Sequence, residues 1–161
     1  MVDYSNILFI SGAGRNVGKT WLACRLISKY AQHNITGIKI SPHFHELYEG
    51  AEYLVNEIDL RIIRETRTGN KDSMLMLKAG AKDALYVQAT KKYDKNYVVN
   101  YVLNYVDTSS PIIIESGYQQ GIEKNSSLVY LNEKGEGEEY PDRIEYQRNR
   151  WIIHENNDRP K

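Results

Sequence analysis

Asn6-Ile7-Leu8-Phe9-Ile10-Ser11-Gly12-Ala13-Gly14-Arg15-Asn16-Val17-Gly18-Lys19-Thr20 is the stretch around which the rest of the chain is arranged. Its first part is a short, nearly continuous apolar run ending in glycines, the pattern of a central parallel strand buried on both faces. From Val17 to about His33 the residues Ala23, Leu26, Ile27, Tyr30 and Ala31 recur at helical spacing, with Arg25, Lys29 and Gln32 between them. That spacing predicts an amphipathic helix covering a sheet. In the turn between strand and helix, Gly12, Gly14 and Gly18 permit conformations that a side chain would oppose, so backbone amides can point inward together as an anion cradle. Gly14, Arg15, Asn16, Val17, Gly18, Lys19 and Thr20 therefore read as a loop for the phosphates of ATP or GTP. Lys19 can reach the β- and γ-phosphates, Thr20 can offer its hydroxyl to magnesium, and the amide dipoles of the helix start favour the same negative charge. Arg15 either contacts a phosphate or is solvated. Ala13 replaces the glycine that usually opens this pattern, and a glycine turn capping an ordinary helix is the competing reading.

Outward from the loop, Thr36-Gly37-Ile38-Lys39-Ile40-Ser41 predicts a second strand stopped by Pro42. Strand, loop, helix and strand make a right-handed crossover unit. Residues 42 to 71 mix charged and apolar residues without a sustained period, and Ile58 to Arg64 is the candidate strand within them. Alternation resumes with a helix from about Lys71 to Gly80, a strand at Ala84 to Ala89 and a helix from about Asp94 to Val106. Strands at Ile112-Ile113-Ile114 and Leu128 to Leu131 follow. Asn132 to Pro141, with Gly135, Gly137 and four glutamates, reads as a solvated loop, and Arg150 to His154 as an added edge strand. The expectation is α/β: one P-loop NTPase domain over 1–161, with a mainly parallel sheet flanked by helices on both faces.

Lysine plus arginine and aspartate plus glutamate both total 21, so no nucleic-acid or membrane partner is expected and a bound anion must be held locally. The single cysteine, Cys24, has no partner for an intramolecular disulfide and fits a small apolar position in the first helix. With no signal-peptide pattern and no apolar run near membrane-span length, the expectation is a cytoplasmic protein. The sequons at Asn34 and Asn125 then carry no weight.

A phosphate loop needs a second acidic group at a neighbouring strand end, placed to hold the magnesium shell or activate water. Glu115 directly follows Ile112-Ile113-Ile114, so its strand delivers a carboxylate to the edge of the sheet that carries the loop. A surface glutamate at a strand end is the alternative. Lys39, between Ile38 and Ile40, needs a phosphate or carboxylate partner or an edge position in water. His43 and His45 fit the mouth of a pocket better than a zinc site, since no cysteine is nearby.

These residues together resemble the molybdopterin-guanine dinucleotide biosynthesis protein B family. The resemblance covers most of the first 120 residues and is carried by Gly14 to Thr20 and by Lys39 with the histidines after it. Lys71-Asp72-Ser73 followed by Ala79-Gly80-Ala81, and Ile114-Glu115 with Gly117-Tyr118, complete it. It implies GTP rather than ATP, magnesium near Thr20 and Glu115, and Asp72 close to the phosphates. It also implies a homodimer working beside a molybdopterin guanylyltransferase, as a slow GTPase accessory. Asn70, Ser116 and Gln119 depart from the family pattern. Lys91-Lys92-Tyr93-Asp94 only loosely matches a guanine-reading motif. Asn132, after a strand on the expected edge, either reads a base through its amide or forms a turn.

Tyr97, Tyr101 and Tyr105 recur every four residues beside Val98, Val102 and Val106, which reads as core packing plus a possible dimer surface. The rival function is an ATP-dependent ligase or small-molecule kinase resembling dethiobiotin synthetase, in which Lys39, Thr20 and Glu115 orient phosphate and magnesium. A third is a nucleotide-gated adaptor.

Overall fold

The structure is a computed structural model, and it describes residues 3–12, 18–44, 47–117, 125–131 and 140–154. Strands β1 (Ile7–Gly12), β2 (Thr36–Ser41), β3 (Glu52–Asn56), β4 (Leu60–Arg64), β5 (Asp83–Ala89), β6 (Ile112–Ser116) and β7 (Ser127–Leu131) form one seven-stranded sheet in the order β3-β4-β5-β2-β6-β1-β7. From β5 to β7 the pairing is parallel; β4 joins β5, and β3 joins β4, antiparallel. The sheet is thus mainly parallel, as expected, with an antiparallel edge at β3 and β4, and β6 lies between β1 and β2.

Period two sorts the side chains of the parallel strands onto two faces. Leu8, Ile10 and Ile113 meet helices α1 (Lys19–Lys29) and α2 (Asp72–Lys78); Ile7, Phe9, Ile112 and Ile114 meet α3 (Lys95–Val102). Helices therefore cover both faces. Two helices are shorter than their periodicity suggests. After Tyr30 the chain makes a single 3-10 turn, Ala31–His33, stopped by Asn34 in the left-handed region at φ 59°. Likewise α3 tightens into a 3-10 turn at Leu103–Tyr105.

The unread stretch 42 to 71 holds the antiparallel extension. β3 is an edge strand with only Val55 fully buried, so it has no alternation to read. β4 begins at Leu60 rather than Ile58, which is 88% exposed in the turn. Arg150 to His154 also differs from expectation. β9 (Arg150–Ile153) does not join the main sheet but pairs antiparallel with β8 (Ile144–Gln147) in a separate two-stranded sheet. Arg148 and Asn149, both at positive φ (52° and 61°), make the tight turn that hairpin twist favours. The Tyr146 hydroxyl donates to Asn6 Oδ1 at 2.6 Å and the Trp151 indole to the Asn6 carbonyl at 3.0 Å, fastening the hairpin to the chain just before β1.

The tyrosines of α3 form a ladder: successive ring centroids of Tyr93, Tyr97, Tyr101 and Tyr105 lie 5.4, 5.7 and 5.9 Å apart. Tyr93, Tyr101 and Tyr105 lean on the α3-side core, and Tyr97 is exposed. Among the described residues no helix is long and apolar enough to cross a membrane.

Candidate functional site

The parallel register places the site. Glu115 on β6 lies opposite Ile10 on β1 and Lys39 on β2. Two residues beyond Ile113, it faces the α1 and α2 side of the sheet, and α1 begins directly above it. Gly18, at φ 97°, holds a left-handed conformation that strains any side chain and turns the chain into α1, whose first residues are Lys19 and Thr20.

Four side chains from four elements meet there. The Thr20 hydroxyl is 3.0 Å from each carboxylate oxygen of Glu115. Lys39 Nζ donates to Glu115 Oε1 at 2.9 Å and lies 3.2 Å from Asp72 Oδ2 at the start of α2. Lys39 is on a central strand, so the edge-in-water reading fails: its partners are two carboxylates. Glu115 is 1% exposed, which excludes a surface glutamate at a strand end.

Electrostatics follow from this packing. Burial pushes the Glu115 carboxyl above its ordinary range, with the Lys39 ammonium as the main opposing influence. Burial alone pulls Lys39 down, yet Glu115 and Asp72 together outweigh it and hold Lys39 above the ordinary lysine value. Lys19 moves the other way. Burial first and the charge of Lys39 second lower it, while Glu115 and Asp72 pull it back. The cluster therefore contains one lysine with two carboxylates and one partly desolvated lysine with no ion pair among the described residues.

Thr20, Glu115 and Asp72 present hydroxyl and carboxylate oxygens, the donors magnesium takes. Among the described residues no group of three or more His, Cys, Asp or Glu could by itself hold a metal. Both observations fit an ion held by one or two carboxylates and a hydroxyl together with phosphates and water, and neither fits an all-protein cage.

A cavity of about 1320 Å³ opens beside the cluster, bounded by Gly12 and Gly18, by Lys39 and Tyr86 on the sheet, and by Asp72 and Leu75 on α2. His43 stands in its wall. Gly14, Arg15, Asn16, Val17, His45, Tyr118, Gln119 and Asn132 lie outside the described residues. Cys24 also lines the cavity; its thiol is pushed up to about 11, mainly by burial and then by Glu115 and Asp72, so it is a poor nucleophile.

The Lys71-Asp72-Ser73 segment divides its roles. Asp72 turns out to Lys39, whereas buried Ser73 donates to Glu65 Oε1 at 2.9 Å. Tyr48 donates to Glu65 Oε2 at 3.2 Å, and its ring lies under Arg67, 4.1 Å from the guanidinium carbon. This network ties the 47–50 turn to the start of α2 and passes unnoticed in the sequence, because Glu65 and Tyr48 fall in the aperiodic stretch. Trp21 and Lys78, which also line the cavity, carried no sequence signal of a pocket.

No family model matches the chain, and no curated protein or solved structure gives a significant match.

Proposed function

We propose that this chain is a magnesium-dependent nucleotide-binding protein of the P-loop NTPase class. The observation that carries the reading is the meeting of Thr20, Lys39, Asp72 and Glu115 beside Gly18-Lys19, where the sequence motif expects phosphates and their metal. In this reading the loop from Gly14 to Thr20 and the Lys19 ammonium bind the phosphates. Thr20, Glu115 and Asp72 hold magnesium, which supplies charge neutralisation at the phosphoryl oxygens. Lys39 orients Glu115 and Asp72 through its two ion pairs and would bring positive charge to the phosphate side of the cluster. Hydrolysis is slow because Glu115, already accepting from Thr20 and Lys39, is poorly available as a base.

The role we assign is that of a GTP-binding accessory in forming molybdopterin guanine dinucleotide, acting as a homodimer beside a guanylyltransferase. Its support is the combination of Gly14 to Thr20, Lys39, Lys71-Asp72-Ser73 and Ile114-Glu115 with Gly117. One observation favours a second reading, an ATP-dependent ligase or kinase like dethiobiotin synthetase. The cavity exceeds the roughly 300–1,000 Å³ of ordinary small-molecule pockets. Steady-state hydrolysis with each nucleotide and magnesium separates the two. The accessory reading expects slow GTP turnover, falling roughly tenfold or more in Glu115→Gln while nucleotide affinity stays within about twofold. Rapid ATP turnover on adding a small carboxylate would overturn it.

A further inference from the structure

The cavity is longer than a phosphate site requires. It runs from the Lys39–Glu115 cluster along the groove between α1 and α2, towards the β2 and β5 side of the sheet and away from β7. Its two walls have matching helical stripes. Along α2 and the residue just before it the stripe is Lys71, Leu75 and Lys78, spaced i, i+4 and i+7; on α1 it is Trp21 and Cys24, spaced i and i+3. All five line the cavity, and Trp21 is 43% exposed. At the far end the Ser28 hydroxyl donates to the Ala79 carbonyl at 2.9 Å and links the two helices.

Charge along the groove is unbalanced. The cavity's two carboxylates, Glu115 and Asp72, are both taken up by Lys39. Lys71 and Lys78 line the cavity and make no ion pair among the described residues, although the Lys71 ammonium lies 5.6 Å from the Tyr48 ring centroid. Lys71 and Lys78 stand about 10 Å apart along the helix axis, within the converging reach of two lysine side chains. The floor between them is apolar: Leu75, Cys24 and the face of Trp21.

We infer that this groove is a subsite for a second small molecule, an oxyanion carried on an apolar body, with Lys71 and Lys78 recognising the anion and Trp21, Cys24 and Leu75 contacting the body. The subsite rests on the nucleotide reading only in taking the loop to be filled by nucleotide phosphates. α2 is too short for its dipole to contribute, so the two ammonium groups carry the recognition. A phosphate and a carboxylate share this chemistry.

The test is calorimetric titration, with magnesium nucleotide present, of phenyl phosphate, benzoate, benzyl alcohol and inorganic phosphate. Phenyl phosphate or benzoate is expected to bind, at least tenfold more weakly in Lys71→Gln/Lys78→Gln, and whichever binds tighter identifies the anion. Bound phenyl phosphate should change the tryptophan fluorescence of wild type but not of Trp21→Phe. No anion binding, undiminished binding in the double variant, benzyl alcohol or inorganic phosphate binding as tightly as the aromatic anions, or an equal fluorescence change in Trp21→Phe would each overturn the subsite. Nucleotide is titrated into the same proteins. Lys19→Ala should lose nucleotide yet keep phenyl phosphate, and a wild type that binds phenyl phosphate but no nucleotide would sink the nucleotide reading alone.

Discussion

Lys39 sits in an apolar strand and is balanced by carboxylates from α2 and β6. Removing its charge as Lys39→Met leaves Glu115 buried with only the Thr20 hydroxyl as partner. Breaking a buried pair from one side typically costs about 3–5 kcal/mol. Urea unfolding should show a loss of that order, and Lys39→Met/Glu115→Leu should recover most of it. The pH dependence has a definite sign. Lys39 is raised in the folded state above the ordinary 10.5, so its contribution is fully present below 10.5 and is lost as pH rises through the higher folded value. Wild type should therefore lose stability more steeply than Lys39→Met above pH 10.5 in thermal melts; equal slopes would contradict the pairing. The sequence left Lys39 either a phosphate or carboxylate partner or an edge position in water, since a charge between two isoleucines requires one or the other. It did not show which one, because that depends on β6 lying next to β2.

Elements here are positioned by close approach as much as by pattern. A Cβ at Gly37 on β2 would lie 2.8 Å from Met76 Sδ and 3.1 Å from Met76 Cβ on α2. The sulfur can swing aside, but the Cβ is fixed to the helix, so α2 and Asp72 with it must shift. Gly37→Ala is expected to cost about 1–3 kcal/mol. Met76→Ala added to it should give a double variant more stable than the sum of the two single losses, measured by the same unfolding assay. Strict additivity would mean that α2 is not held by this contact. The elements legible in the sequence are the apolar strands β1, β2, β5, β6 and β7 and the helices with a strong period. β3 escaped because an edge strand buries little. The β8–β9 hairpin was half seen, since Arg150 to Ile153 reads as a strand while its partner Ile144–Gln147 is short and follows a glutamate-rich loop.

At the scale of the whole molecule, the parallel strands bring residues distant in sequence to one edge of the sheet. Thr20 and Glu115 are 95 positions apart, and Lys39 and Glu115 are 76. Each was recognisable alone as a residue at the end of a strand or the start of a helix. Their direct contact required the strand order, which the sequence does not state. The same order places the cavity between α1 and α2, where Lys71 and Lys78 line it. The proposed function puts an anion at Gly18-Lys19. The most direct measurement is calorimetric titration of magnesium GTP and magnesium ATP into wild type and Lys19→Ala. Binding by wild type, with GTP preferred, and a loss of at least tenfold in Lys19→Ala is the predicted result; Lys19→Ala binding nucleotide as well as wild type would contradict it.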